Sequence, residues 1–198
     1  MKRIAALITT VSITALVLFI LSFNTHKDCA TEAVMAINPD IEVLFELQMN
    51  RGNIVLFRTL GADELSLAFL ARSFSGVEHI KSTTKQHVTA LEAQTGLTYV
   101  VLPKSSGVPF TIYAGTTTNP DLAEILVTEP SFKIAHRIHL KESLVDDENL
   151  YVWMVASVDF TGEHFSIIGL AADGTIIGDI EYDGTSLTIH TTNTIEAR

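Results

Sequence analysis

Ile167-Ile168-Gly169-Leu170-Ala171-Ala172-Asp173-Gly174-Thr175-Ile176-Ile177-Gly178-Asp179-Ile180-Glu181-Tyr182-Asp183-Gly184-Thr185-Ser186-Leu187-Thr188-Ile189-His190 is the stretch on which the fold reading turns. Two Asp-Gly pairs, Asp173-Gly174 and Asp183-Gly184, stand ten residues apart, each between short runs of apolar and β-branched residues. Asp-Gly in that setting is a strong short-range hairpin signal. Three antiparallel strands are therefore expected, over 167–170, 176–182 and 187–190.

Working outward, the period of two recurs. Leu150 to Ala156 is apolar at successive positions, which predicts a central strand covered on both faces. Ile134, His136, Ile138 and Leu140 share one face of another strand, with Arg137 and His139 on the other. Ile125 to Thr128 reads as a short strand. Phe110, Ile112 and Ala114 alternate with Thr111 and Tyr113, and the apolar run Leu97 to Leu102 is stopped by Pro103. Ile41, Val43, Phe45, Leu47 and Met49 alternate with Glu42, Leu44, Glu46 and Gln48, which predicts one strand with one apolar face. Asn50-Arg51-Gly52-Asn53 is a turn signal before a return strand at Ile54 to Arg58. Leu65, Leu67 and Phe69 form the next apolar face, and Glu78 to Ser82 reads as a strand. Thr84 to Gln94 is ambiguous, because Val88 and Leu91 fit a helical face that Gly96 would cap. Roughly ten short strands with regular turns predict an all-β fold, an antiparallel β-sandwich or a partly open barrel, over residues 39–192.

Composition narrows the function classes. Apolar residues make up 47% of the 198 and charged residues 18%, which excludes a disordered or low-complexity chain. The net charge of −10 argues against a nucleic-acid partner, since phosphates call for a basic surface. A lone cysteine, Cys29, excludes an intramolecular disulfide and a cysteine-cluster zinc site.

Ile4 to Phe23 is a run of 20 uncharged residues. As a helix it would span about 30 Å, one hydrocarbon thickness. Lys2 and Arg3 precede it and acids follow it, so the positive-inside rule places the N-terminus in the cytoplasm. The run exceeds an ordinary signal-peptide core, and its small-x-small sites lie well downstream. The expectation is an uncleaved single-pass anchor over 1–27, with secretion after signal cleavage as the alternative. Residues 28–38 read as a tether or a short helix. Residues 1–27 hold Lys2, Arg3 and Lys27 and no carboxylate, so the remainder carries all 23 acids and a net −13. Cys29 reads as a free thiol or as a site for a disulfide between two tethers.

Several constellations could carry chemistry. Ser82-Thr83-Thr84-Lys85 matches S-x-x-K, in which a lysine one helical turn away activates a serine, but its partner motifs are absent. His136 and His139 are three apart, and on a strand they point to opposite faces, so one ion cannot take both. Asp146, Asp147 and Glu148 offer hard oxygen ligands for calcium without the EF-hand spacing. Asp159, Glu163 and His164 gather around the Gly162 turn and hold the groups of acid–base catalysis. The amphipathic aromatics Tyr113, Tyr151 and Trp153 form a candidate contact patch if their strand face is exposed, and are core if both faces are covered. No cofactor or dedicated metal site is expected.

The order of four segments resembles that of a group of small exported or membrane-anchored proteins of Bacillus-like Firmicutes. They are Gly52-Asn53-Ile54-Val55-Leu56-Phe57-Arg58; Ala68-Phe69-Leu70; Pro109-Phe110-Thr111-Ile112-Tyr113-Ala114-Gly115; and Leu150-Tyr151-Val152-Trp153 followed by Ile168-Gly169-Leu170-Ala171-Ala172-Asp173-Gly174. The resemblance spans about residues 50–180. It implies an envelope location and a compact β domain, and it brings no catalytic residues. Together the readings predict a membrane-anchored extracytoplasmic β domain that binds an envelope protein partner without catalysis. An extracytoplasmic hydrolase and a calcium-responsive module are the alternatives.

Overall fold

The computed structural model describes residues 29–36, 38–50, 52–62, 64–72, 78–87, 96–105, 107–130, 134–142 and 149–191. The expected anchor, the acidic run Asp146 to Glu148 and the stretch 88–95 lie outside them. Among the described residues no helix is long and apolar enough to cross a membrane.

The architecture is mostly β, as the strand periodicity predicts; among the described residues the strands form three antiparallel sheets and no barrel closes. The first sheet is a meander of β1 (Ile41–Met49), β2 (Gly52–Thr59), β3 (Glu64–Arg72) and β4 (Glu78–His87). The second runs in the order β5 (Val100–Leu102), β6 (Thr111–Thr117), β10 (Tyr151–Ser157), β9 (Lys141–Glu142). The third has the order β13 (Leu187–Thr191), β12 (Ile176–Tyr182), β11 (Phe165–Leu170), β7 (Glu124–Glu129), β8 (Ile134–His139). Ser82 to Lys85 lie within β4, so the S-x-x-K spacing meets no helix and loses the geometry it needs.

Alternation within the strands builds the layers. Ile54 and Leu56 of β2, with Leu65, Leu67 and Phe69 of β3, share one core with Val100, Ile112, Ala114 and Val152 of the second sheet. The opposite face of the second sheet, carrying Tyr99, Tyr113 and Trp153, joins Ile125, Val127, Phe165, Ile167 and Ile180 of the third in another. The second sheet is thus buried on both sides, and all seven residues of β6 are buried. Its hydroxyls are satisfied there: Thr111 Oγ1 donates to the Phe160 carbonyl at 2.7 Å, and Thr98 and Thr116 hydroxyls pair at 2.8 Å.

The outer face of the first sheet is closed by helix α1 (Cys29–Met35). Ala30 and Val34, one turn apart, pack on Ile41, Val55, Phe57, Ala68 and Leu70. Thr31 Oγ1 donates to Glu46 at 3.2 Å, so the segment predicted as tether or short helix is a docked helix. The single apolar face expected of β1 is split in two. A register shift between Val43 and Phe45 inserts Leu44, and the strand turns over. Ile41 and Val43 face α1, whereas Leu44, Phe45, Leu47 and Met49 face the second sheet.

The two Asp-Gly pairs do close hairpins, by different geometries. At the first, the Gly174 amide donates to the Ala171 carbonyl and the Ala171 amide to the Thr175 carbonyl, leaving a three-residue loop with Gly174 at φ 87°. At the second, the Asp183 amide donates to the Ser186 carbonyl, so Gly184 (φ 89°) and Thr185 form the tip. Glycine takes the left-handed position in each.

Gly115 lets the middle of the molecule close. It pairs with Trp153 across β6 and β10, and a Cβ there would fall 2.0 Å from the Thr98 carbonyl oxygen and 2.6 Å from the indole nitrogen. That nitrogen is buried with no hydrogen-bond partner among the described residues. Gly115→Ala is expected to cost about 3 kcal/mol by forcing these groups apart, read as a shift of the denaturant midpoint at unchanged slope.

Candidate functional site

A cleft of about 440 Å³ opens where edges of the three sheets meet. The first sheet contributes Thr84 of β4, and the β5 segment contributes Tyr99, Val101 and Pro103. The third sheet supplies Phe165 of β11 and, from the β12–β13 hairpin, Tyr182, Thr185 and Leu187. Gly162 completes the wall. Among the described residues the lining is aromatic rings, aliphatic carbon and hydroxyls, with no ionised side chain. A smaller cleft of about 310 Å³ shares Phe165 and Tyr182 with it and adds Pro130, His164, Glu181 and Asp183.

The rings of the large cleft form a packed series. Tyr99 meets Phe165 edge-on at 5.7 Å between centroids, and Phe165 meets Tyr182 at 5.3 Å with a 36° tilt. Phe165 also meets Tyr113 at 5.0 Å, and Tyr113 meets Phe160 at 5.4 Å. Tyr99 is 7% exposed. Burial, then the neighbouring Tyr182, pushes its phenol up to about 12, so it stays a neutral donor throughout the physiological range. The Tyr182 hydroxyl donates to the Gly184 carbonyl at 3.0 Å, which holds its ring against the hairpin.

The wall at Gly162 is fixed from below by a buried carboxylate. Ile125, Val127 and Glu129 share the inner face of β7, and period two carries the glutamate into the core, where it is 1% exposed. It accepts from the Tyr113 hydroxyl at 2.5 Å, the Gly162 amide at 2.7 Å, and the Thr161 amide and hydroxyl at 2.9 and 3.1 Å. Consecutive amides with the second residue in the left-handed region form a cradle for an anion, here filled by the chain's own side chain. Desolvation, then the bond to Glu129, raises the Tyr113 phenol far above its ordinary range.

The sequence-derived candidates fall elsewhere. Tyr113 and Trp153 are 0% and 2% exposed, because the strand face they share is covered by the third sheet. Of the two readings the sequence leaves open for these aromatics, the burial of Tyr113 and Trp153 matches core, and Tyr151 is half-buried. Asp159, Glu163 and His164 are all exposed, and His164 borders the smaller cleft. His136 is half-buried with its ring edge-on to Phe160 at 5.0 Å, and the side chain of His139 lies outside the description. Among the described residues no three histidine, cysteine or acidic side chains gather as for a metal ion. Tyr99, Phe165 and Tyr182 were readable as strand aromatics, but their convergence needed the sheet order. Glu129 was readable from the alternation of β7. Comparison with protein-family models, curated proteins and solved structures returns no match.

Two outcomes follow from these bonds. Glu129→Ala leaves buried donors at Tyr113, Thr161 and Gly162 and is expected to cost about 3 kcal/mol or more, whereas Tyr113→Phe removes one bond and costs about 1 kcal/mol beyond its neighbours. A double-mutant cycle by denaturant unfolding should show the two non-additive. The hairpin tips depend on pH. Amide donors from Thr175, and from Ser186 and Thr185, hold the carboxyls of Asp173 and Asp183 below their ordinary 3.8. Their contribution is therefore complete above that value and lost as pH falls below it. Amide shifts of Thr185 and Ser186, followed by NMR as pH is lowered from about 5, should hold their native values well below 3.8 and step away only where the depressed carboxyl of Asp183 takes up its proton. In Asp183→Asn that step should vanish.

Proposed function

We propose that this chain is a membrane-anchored module whose β domain lies outside the cytoplasmic membrane and binds a ligand or partner of the cell envelope without catalysing a reaction. The anchor is Ile4 to Phe23, preceded by Lys2 and Arg3, and residues 28–198 beyond it carry a net −13. The large cleft carries the binding reading. Its volume is that of an ordinary ligand site, its walls come from three separate sheets, and Glu129 holds the wall at Gly162 in place. Rings, aliphatic carbon and hydroxyls suit recognition. Among the described residues that lining holds no pair of ionisable groups of the kind hydrolysis needs. This reading moves the interaction surface from Tyr113 and Trp153 to Tyr99, Phe165 and Tyr182.

The test is site-specific photocrosslinking in the producing cells. Leu187 is 40% exposed at the cleft rim, and Leu60, at the β2–β3 turn, is 56% exposed away from it. A photoreactive residue at 187 should capture an envelope component that the same residue at 60 does not. Equal capture at both positions, or none at 187, would remove the binding reading.

A further inference from the structure

The large cleft has a chemistry more specific than "ligand". We infer that it takes a neutral oligosaccharide, one pyranose ring lying against the Tyr99–Phe165–Tyr182 wall with its hydroxyls met by the two phenols and by Thr84 and Thr185; this rests on the binding reading above.

Charge removes most other classes. Among the described residues nothing in the lining is ionised, so the cleft as described offers neither an anion nor a cation a counter-charge. The chain as a whole carries −10, which further disfavours an anionic ligand approaching from water. What remains is a neutral ligand, and the lining has two parts. Phe165, Val101, Pro103 and Leu187 supply apolar surface, while Tyr99, Tyr182, Thr84 and Thr185 supply hydroxyls at its margin. A pyranose is built the same way, with an apolar C–H face and a rim of hydroxyls that both donate and accept. An aromatic face, negative at its centre, attracts that C–H face, and a phenol or threonine hydroxyl can serve either role towards the rim.

The Tyr99 phenol stands at the wall of the cleft, and its hydroxyl can both donate and accept. A saccharide hydroxyl can meet it in either role. An acyl chain offers it no polar atom. A neutral proline-rich peptide shares the taste for aromatic walls and is the competing class, but it offers no donors for Thr84 and Thr185 to accept from at every ring.

The chain has four tyrosines, Tyr99 and Tyr182 in the cleft, Tyr113 and Tyr151 outside it. Full-length protein with ring-¹³C tyrosine, held in a detergent that is not itself a glycoside, therefore reports occupancy with an internal control. It is titrated with the trisaccharide of N-acetylglucosamine, a glucose trisaccharide, an anionic uronic-acid trisaccharide and an uncharged proline-rich decapeptide. The expected result is a saturating shift of Tyr99 and Tyr182 with at least one neutral trisaccharide, none at Tyr113 or Tyr151, and no response to the uronic acid. Tyr182→Ala should weaken the interaction about tenfold. Leu187→Lys, at an exposed rim position, should weaken it similarly with the Tyr113 and Tyr151 signals unmoved, which shows the fold intact. No shift with either neutral trisaccharide, or shifts spread over all four rings, would overturn the saccharide assignment. A response to the peptide alone would overturn it while leaving the binding module standing. Silence to every probe, with no capture at position 187 in cells, would take the binding reading down as well.

Discussion

The structure depends on a central sheet that is packed against a core on each face. With β6 and β10 covered from both sides, each successive side chain must be apolar or fully hydrogen-bonded. The run from Thr111 to Thr117 meets that demand with Ile112, Tyr113, Ala114 and three threonines whose hydroxyls find partners. It also needs one position without a side chain. Gly115 lies under Trp153 and against the Thr98 carbonyl, and the two cores approach one another because nothing projects there. The first sheet, with α1 behind it, and the third sheet are the two covers of this layer.

The cleft is a by-product of how the third sheet is pinned to the second. Glu129 reaches out of β7 and gathers the Tyr113 phenol with the amides of Thr161 and Gly162. A buried carboxylate is costly unless its oxygens are met, and here four donors meet them. The consequence is mechanical. The turn before β11 is held, Phe165 is presented at a set depth, and Tyr99 and Tyr182 close on it from two different sheets. The same network thus serves stability and keeps the aromatic wall in one arrangement, which would lower the ordering cost of the proposed binding.

Much of the strand pattern was legible. The Asp-Gly pairs identified the last two hairpins, and Asn50 to Asn53 the first, because turn chemistry is local. The apolar run Leu150 to Ala156 was a central strand, as doubly covered runs should be. Other readings failed for tertiary reasons. The even alternation of β1 concealed a bulge at Leu44 that sends Ile41 and Val43 to α1 and the rest to the second sheet. Either face of a strand can be apolar when both are covered, so alternation alone cannot say which core a residue joins. The aromatics Tyr113 and Trp153 had the composition of a contact surface, and only the third sheet lying over them makes them core. Glu129 lies one residue past the apolar run Ile125 to Thr128, and only the sheet extends the strand far enough to carry it into the core.

By itself the sequence determined the strand periodicity, the hairpins with local turn signals, the acidic charge and the uncharged run near the N-terminus. Each of these is a property of neighbours in the chain, where backbone geometry and hydropathy act over a few residues. The tertiary structure alone decided that there are three sheets, that α1 docks on the first, and that Tyr99, Phe165, Tyr182 and Thr84 converge on one cleft. These residues come from β4, β11, β12 and the segment before β5, up to 98 positions apart from Thr84 to Tyr182. No local rule connects residues so distant, and only the burial of both faces of the second sheet brings them together.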